Sequence, residues 1–177
     1  MRLTKLCNMH TETVETRKEL SVHYGLRVLT QVQEYMEDGY RHVRVQVDVP
    51  KLSTYGAGSQ AGPSLLPENQ RTNIWEPKPY VQRVPRLFEH LRKQLGDDVE
   101  LLHDVHERVP PILAMQLAKD LEPYRLFFLE DPFSPEDIGY FEHLRRQSST
   151  PIAMGELFNS PHEWTGLVSR RLIDFIR

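Results

Sequence analysis

From Leu26 onward, apolar residues follow two alternating rhythms. Val28, Leu29, Val32, Tyr35 and Met36 recur at helical spacing up to Gly39, and the run His42-Val43-Arg44-Val45-Gln46-Val47 then alternates as a strand does. The same alternation predicts helices over 81–95, 111–121, 136–147 and 162–168, with strands over 99–105, 126–130, 152–156 and 172–177. Prolines mark the joints: Pro110, Pro111 and Pro135 stand where helices begin, and Pro151 where a strand does. Short apolar strands, each reached through an amphipathic helix, imply an α/β fold with a parallel sheet, either doubly wound or a (β/α) barrel. A complete barrel takes roughly eight strands and about 250 residues. On the barrel reading, a chain of 177 residues is partial.

Two stretches break the rhythm. Residues 1–25 read as a polar, poorly anchored leader, which leaves 26–177 as the partial barrel domain. Within that domain, 49–77 holds many of the glycines and prolines and reads as a long functional flap.

Composition narrows the function classes. An apolar fraction of 39% beside 27% charged residues is that of a water-soluble globular chain. The formal charge of -3, with no basic stripe, argues against nucleic acid or an acidic membrane surface as partner. Cys7 is the only cysteine, so neither a disulfide framework nor a thiolate cluster can form within one chain, and a reducing, cytoplasmic location is expected. No apolar run reaches the roughly 18 to 20 residues that span a bilayer, and no apolar signal core follows Arg2 and Lys5. A small molecule is the expected partner, and self-association into a homo-oligomer is left open.

The candidate chemistry lies at strand ends. Three successive predicted strands carry carboxylates at or near their C-termini, Asp104, Glu130 and Glu156. In a parallel sheet those ends lie on one edge, where α/β barrels build their active sites. Three converging acids suit Mg2+, which takes oxygen ligands and keeps positions open for water or substrate. The competing reading makes each acid a solvated strand end or helix cap. His106, two residues beyond Asp104, would face the same side if the strand persists and could act as general acid or base. Arg44 on the earlier strand and Tyr55 in the flap form a second candidate pair, since an arginine beside a phenol favours the phenolate. Read without context, Tyr55 is more readily a loop aromatic. Gly56-Ala57-Gly58-Ser59-Gln60-Ala61 imitates a dinucleotide fingerprint, but Pro50 precedes it, Gly62-Pro63 follows it and no helix opens there. A nicotinamide site is therefore excluded, and no metalloprotease HExxH pair or Walker loop is present.

The runs Leu101-Leu102-His103-Asp104-Val105-His106, Phe128-Leu129-Glu130-Asp131-Pro132 and Gly155-Glu156-Leu157-Phe158-Asn159 resemble the D-mannonate dehydratase and starvation-sensing branch of the enolase superfamily, of the mandelate racemase/muconate lactonizing type, from about Val32 to Arg177. The resemblance implies a TIM-like barrel whose Mg2+ is held by Asp104, Glu130 and Glu156. It also implies removal of water from a sugar acid, D-mannonate or D-gluconate, to give 2-keto-3-deoxy-D-gluconate. By that resemblance Tyr55, assisted by Arg44, takes the C2 proton, His106 protonates the departing hydroxyl, and Arg177 lies at the substrate end. It further implies that the N-terminal capping domain and the last barrel strands of such enzymes are missing. Weak or absent dehydratase activity is then expected of this chain, with a non-catalytic remnant or an interaction protein as the alternative.

Overall fold

The computed structural model describes residues 5–7, 19–47 and 77–177. Its elements run β1 (Lys5–Cys7), α1 (Glu19–Glu37), β2 (His42–Val45), α2 (Pro77–Leu95), β3 (Glu100–Asp104), α3 (Pro111–Leu121), a short 3-10 turn (Glu122–Tyr124), β4 (Phe128–Glu130), α4 (Ile138–Gln147), β5 (Ile152–Met154), α5 (Pro161–Ser169) and β6 (Phe175–Ile176). All neighbouring strands pair in parallel, and their order in the sheet is their order in the chain. A doubly wound sheet reverses strand order at a switch point. This one never does, so the winding is of the barrel kind.

The ladder registers sort the two faces of the sheet. Arg44 pairs with Leu102, Leu102 with Phe128, Asp104 with Glu130, Glu130 with Ala153, and Ala153 with Phe175, so these residues share one face. The alternate residues Val43, Val45, Leu101, His103, Leu129 and Ile152 face the helices and are buried. Each helix supplies an apolar stripe to that layer: Val28 and Val32 from α1, Val84, Phe88 and Leu91 from α2, Leu117 and Leu121 from α3, Phe141 and Leu144 from α4, and Leu167 from α5. The apolar core therefore lies between sheet and helices, while the opposite face is left for polar chemistry at its C-terminal edge. Along the N-terminal part of that face, the Phe127, Phe128 and Phe175 rings pack tilted against one another at 5.0 to 5.5 Å between centroids, with His42 edge-on to Phe127 at 4.6 Å.

The strands predicted over 126–130, 152–156 and 172–177 are shorter, Phe128–Glu130, Ile152–Met154 and Phe175–Ile176, so Glu156 lies past its strand, and the elements before β3 differ more. The leader expected over 1–25 contains a strand, Lys5–Cys7, and the first turns of α1, which begins at Glu19. Three residues are too few to show a two-residue period, and Glu19, Ser21 and His23 carry no apolar rhythm. Helix α2 begins at Pro77 rather than 81, because Pro77 and Pro79 occupy a first turn whose backbone N–H groups need no helical acceptor. The expected flap and Tyr55 lie outside the described residues apart from Pro77, which opens α2. Among the described residues, no helix is long and apolar enough to cross a membrane.

Candidate metal centre

Asp104 ends β3 and Glu130 ends β4, and the two are ladder partners, so their side chains leave the sheet side by side. Both are buried. Glu156 stands two residues past β5, after Gly155, whose φ of +149° turns the chain at that point. A Cβ on Gly155 would meet the backbone N of Arg177 at 3.0 Å and press on its carbonyl oxygen. Glycine is therefore what allows β5 and the Arg177 backbone to approach here.

Two guanidinium groups reach this edge. Arg44 Nη1 donates to Glu130 Oε2 at 3.1 Å and to Asp104 Oδ2 at 3.5 Å. Arg177 Nη1 donates to Glu156 Oε2 at 2.9 Å and forms an ion pair with Glu130 Oε1. Gln46 Nε2 adds a bond to Asp104 Oδ2 at 3.2 Å. The other Asp104 oxygen, Oδ1, is buried without a hydrogen-bond donor, and His106 Nδ1 stands 3.9 Å from it. Burial raises the Asp104 carboxyl above its ordinary range, against the opposing influence of Arg44, His106 and Arg108.

All the sequence-predicted site residues except Tyr55, which lies outside the described residues, have a place in this geometry. Asp104, His106 and Glu156 bring one ligand atom apiece within 4.8 Å of one another, and so do Asp104, Glu130 and Asp131. The expected trio Asp104, Glu130 and Glu156 is thus divided between two overlapping groups that share Asp104. His106 arrives by a different route from the one expected. The strand ends at Asp104, and His106 and Glu107 both take left-handed backbone, each at φ 54°. Bonds from Val105 N to Glu130 O at 2.9 Å and from Glu107 N to Asp131 O at 2.8 Å hold that turn. Arg44, expected beside Tyr55, reaches the acids with its guanidinium, which bridges Asp104 and Glu130.

Sequence reasoning missed Gln46 and Asp131. Gln46 was legible, since it lies two residues beyond Arg44 in an alternating strand. Asp131 was not, because a residue following Glu130 should point to the opposite face. It instead adopts φ 42°, is fully buried, and has its carboxyl pushed up to about 7 by burial and by Asp104, Glu107 and Glu156, with the Gly155 backbone N–H acting the other way. Burial, with Glu136 and Asp137 nearby, likewise lifts Glu107 to about 7.

A single-wound parallel sheet backed by helices, with buried acids at its C-terminal edge, defines a partial α/β-barrel domain with acids placed where such barrels build their sites. The chain belongs to the enolase C-terminal domain-like family, which matches residues 27–177. A D-galactonate dehydratase family member from Musicola paradisiaca (strain Ech703) is 47% identical over 157 residues, covering 82% of this chain and 38% of that relative. Another from Salmonella virchow is 46% identical with the same coverage. A crystal structure of an enolase from Pantoea ananatis, with bound D-gluconate and Mg, superposes with a TM-score of 0.71 at 42% identity over 86% of this chain and 40% of that one. The 3,6-anhydro-D-galactonate cycloisomerase from Zobellia galactanivorans, at 17% identity and a TM-score of 0.64, shares the fold. The chain therefore spans 38% of the length of the curated relatives just described.

Proposed function

We propose that this chain carries the cation-holding and proton-transfer portion of a sugar-acid dehydratase, with Mg2+ held by Asp104, Glu130 and Glu156. The observation that carries the reading is the buried Asp104–Glu130 pair in register, with Asp104 Oδ1 lacking a donor and Glu156 within reach of Asp104. An all-oxygen donor set with an unsatisfied buried carboxylate oxygen fits a hard divalent cation. When bound, that cation supplies Lewis-acid stabilisation of the charge that develops as the C2 proton leaves. Tyr55, as a phenolate favoured by Arg44, takes the C2 proton. His106 protonates the C3 hydroxyl as it departs, so one molecule of water is lost, and the resulting enol moves its hydroxyl proton to C3 by way of solvent to give a 2-keto-3-deoxy acid. Arg177 orients the substrate end near Glu156. D-Mannonate and D-gluconate are the substrates of choice, and a cytoplasmic location accords with their catabolism.

A second reading has its own support. Arg44 and Arg177 between them pair with Asp104, Glu130 and Glu156, so the acids are partly neutralised without any metal. A non-catalytic interaction protein would need nothing more. The two readings part on a thermal melt with and without Mg2+, followed by an assay for keto-deoxy acid. On the dehydratase reading, Mg2+ at 100 times its dissociation constant stabilises the fold by about 2.7 kcal/mol. Asp104→Asn abolishes that shift, and product forms from one of the two acids. An unchanged melt and no product favour the second reading.

A further inference from the structure

Behind the carboxylates, on the helix-covered face of the sheet, Tyr80 and His103 form a hydrogen-bonded couple that the reaction above does not use. Both are fully buried. His103 Nδ1 lies 2.7 Å from the carbonyl oxygen of Val45, and His103 Nε2 lies 2.7 Å from the Tyr80 hydroxyl. A carbonyl oxygen only accepts, so Nδ1 carries the ring proton. Nε2 of the neutral imidazole is then an acceptor, and the Tyr80 hydroxyl donates to it. The Tyr80 ring stacks on the imidazole at 5.8 Å between centroids, and Phe88 meets it edge-on at 5.6 Å.

The couple acts where the backbone ladder gives out. Pairing of β2 with β3 runs from His42 opposite Glu100 to Arg44 opposite Leu102. Beyond that point, side chains tie the two strand ends from both faces. On the helix side, His103 of β3 holds the Val45 carbonyl at the end of β2. On the other side, Gln46, the next residue after Val45, donates to Asp104, the next residue after His103. Arg108 extends the tie, with its guanidinium 5.8 Å from the Tyr80 ring centroid and its Nε donating to the Val105 carbonyl at 3.1 Å.

We propose that Tyr80 and His103 are positioning residues of the carboxylate site: by holding the Val45 carbonyl they fix where Gln46 and Arg44 meet Asp104. The effect on cation binding rests on the reading under Proposed function, whereas the effect on Gln46 does not. The test is NMR of the full chain without metal, following solvent exchange of the Gln46 side-chain amide, and then calorimetric titration with Mg2+. In the starting protein the amide should exchange slowly, being bonded to Asp104. Tyr80→Phe, which removes one hydroxyl, should speed that exchange severalfold and weaken Mg2+ binding severalfold, less than the roughly tenfold or more lost when a direct partner of a metal ligand is removed. His103→Gln keeps one donor and one acceptor and should retain both properties, whereas His103→Leu should lose both. If the His103→Leu variant does not fold, the Tyr80→Phe result decides. Unchanged Gln46 exchange in Tyr80→Phe overturns the proposal, as does equal loss in the two His103 variants. If Tyr80→Phe frees Gln46 while the starting protein binds no Mg2+, the positioning role stands and the cation reading falls.

Discussion

Asp104 carries more of this site than any other residue, because Arg44, Gln46 and His106 all converge on its two oxygens. Its place at a strand end was legible from the sequence, as were that of Glu130 and the place of Arg44 on the earlier strand. What could not be read was which side chain serves which acid, since that depends on rotamers and on left-handed backbone at His106, Glu107 and Asp131. His103 is the converse case, a histidine adjacent to an acid that the sequence does not separate from the chemistry, yet the fold turns it away to the helices. Burial, with Arg108 and Arg44 nearby, depresses its pKa to about 4, against an opposing bond to Val45, and Tyr80 faces it as a neutral hydroxyl. The unfolded chain takes up the proton first as pH falls. The contribution of the buried neutral ring is therefore complete above about pH 6.5 and shrinks to nothing by about pH 4, a difference of about 3 kcal/mol. Urea titrations of the metal-free protein at pH 7 and pH 5 should show that loss, and His103→Gln should remove its part of the slope. An imidazole that titrates near 6.5 by NMR in the folded protein contradicts the assignment.

At the scale of elements, helices from α2 onward followed the hydrophobic rhythm because each presents a buried stripe, while strands β2 to β6 were marked by short apolar runs bounded by turn residues. β1 was not legible, because Lys5–Cys7 is no apolar run and sits in a polar stretch; pairing with β2, rather than its own pattern, makes it a strand. The turn after β5 depends on a residue without a side chain. Gly155→Ala would combine an unfavourable φ with a contact against the Arg177 backbone, so a loss on the order of 1–3 kcal/mol is expected in urea unfolding. The same change should weaken Mg2+ binding, since Arg177 and Glu156 are displaced together. Wild-type stability in the alanine variant would show that the backbone relaxes freely there.

For the molecule as a whole, sequence patterning left two architectures open, and strand order decides between them. A single direction of winding puts every helix on one face and leaves the other for acids at the C-terminal edge and aromatic rings towards the N-terminal end. Neither order nor curvature is encoded in any one segment, which is why repeated βα units alone could not choose. The acids gather because parallel pairing places strand ends together, and a divalent cation is the simplest means of offsetting their repulsion beyond what Arg44 and Arg177 supply. The most direct test is anomalous diffraction from crystals grown with Mn2+ in place of Mg2+. The account predicts one peak roughly 2.0–2.3 Å from carboxylate oxygens of Asp104, Glu130 and Glu156, with the Arg44 and Arg177 guanidinium groups drawn back. No peak at saturating Mn2+, or a peak held by residues away from these strand ends, would contradict it.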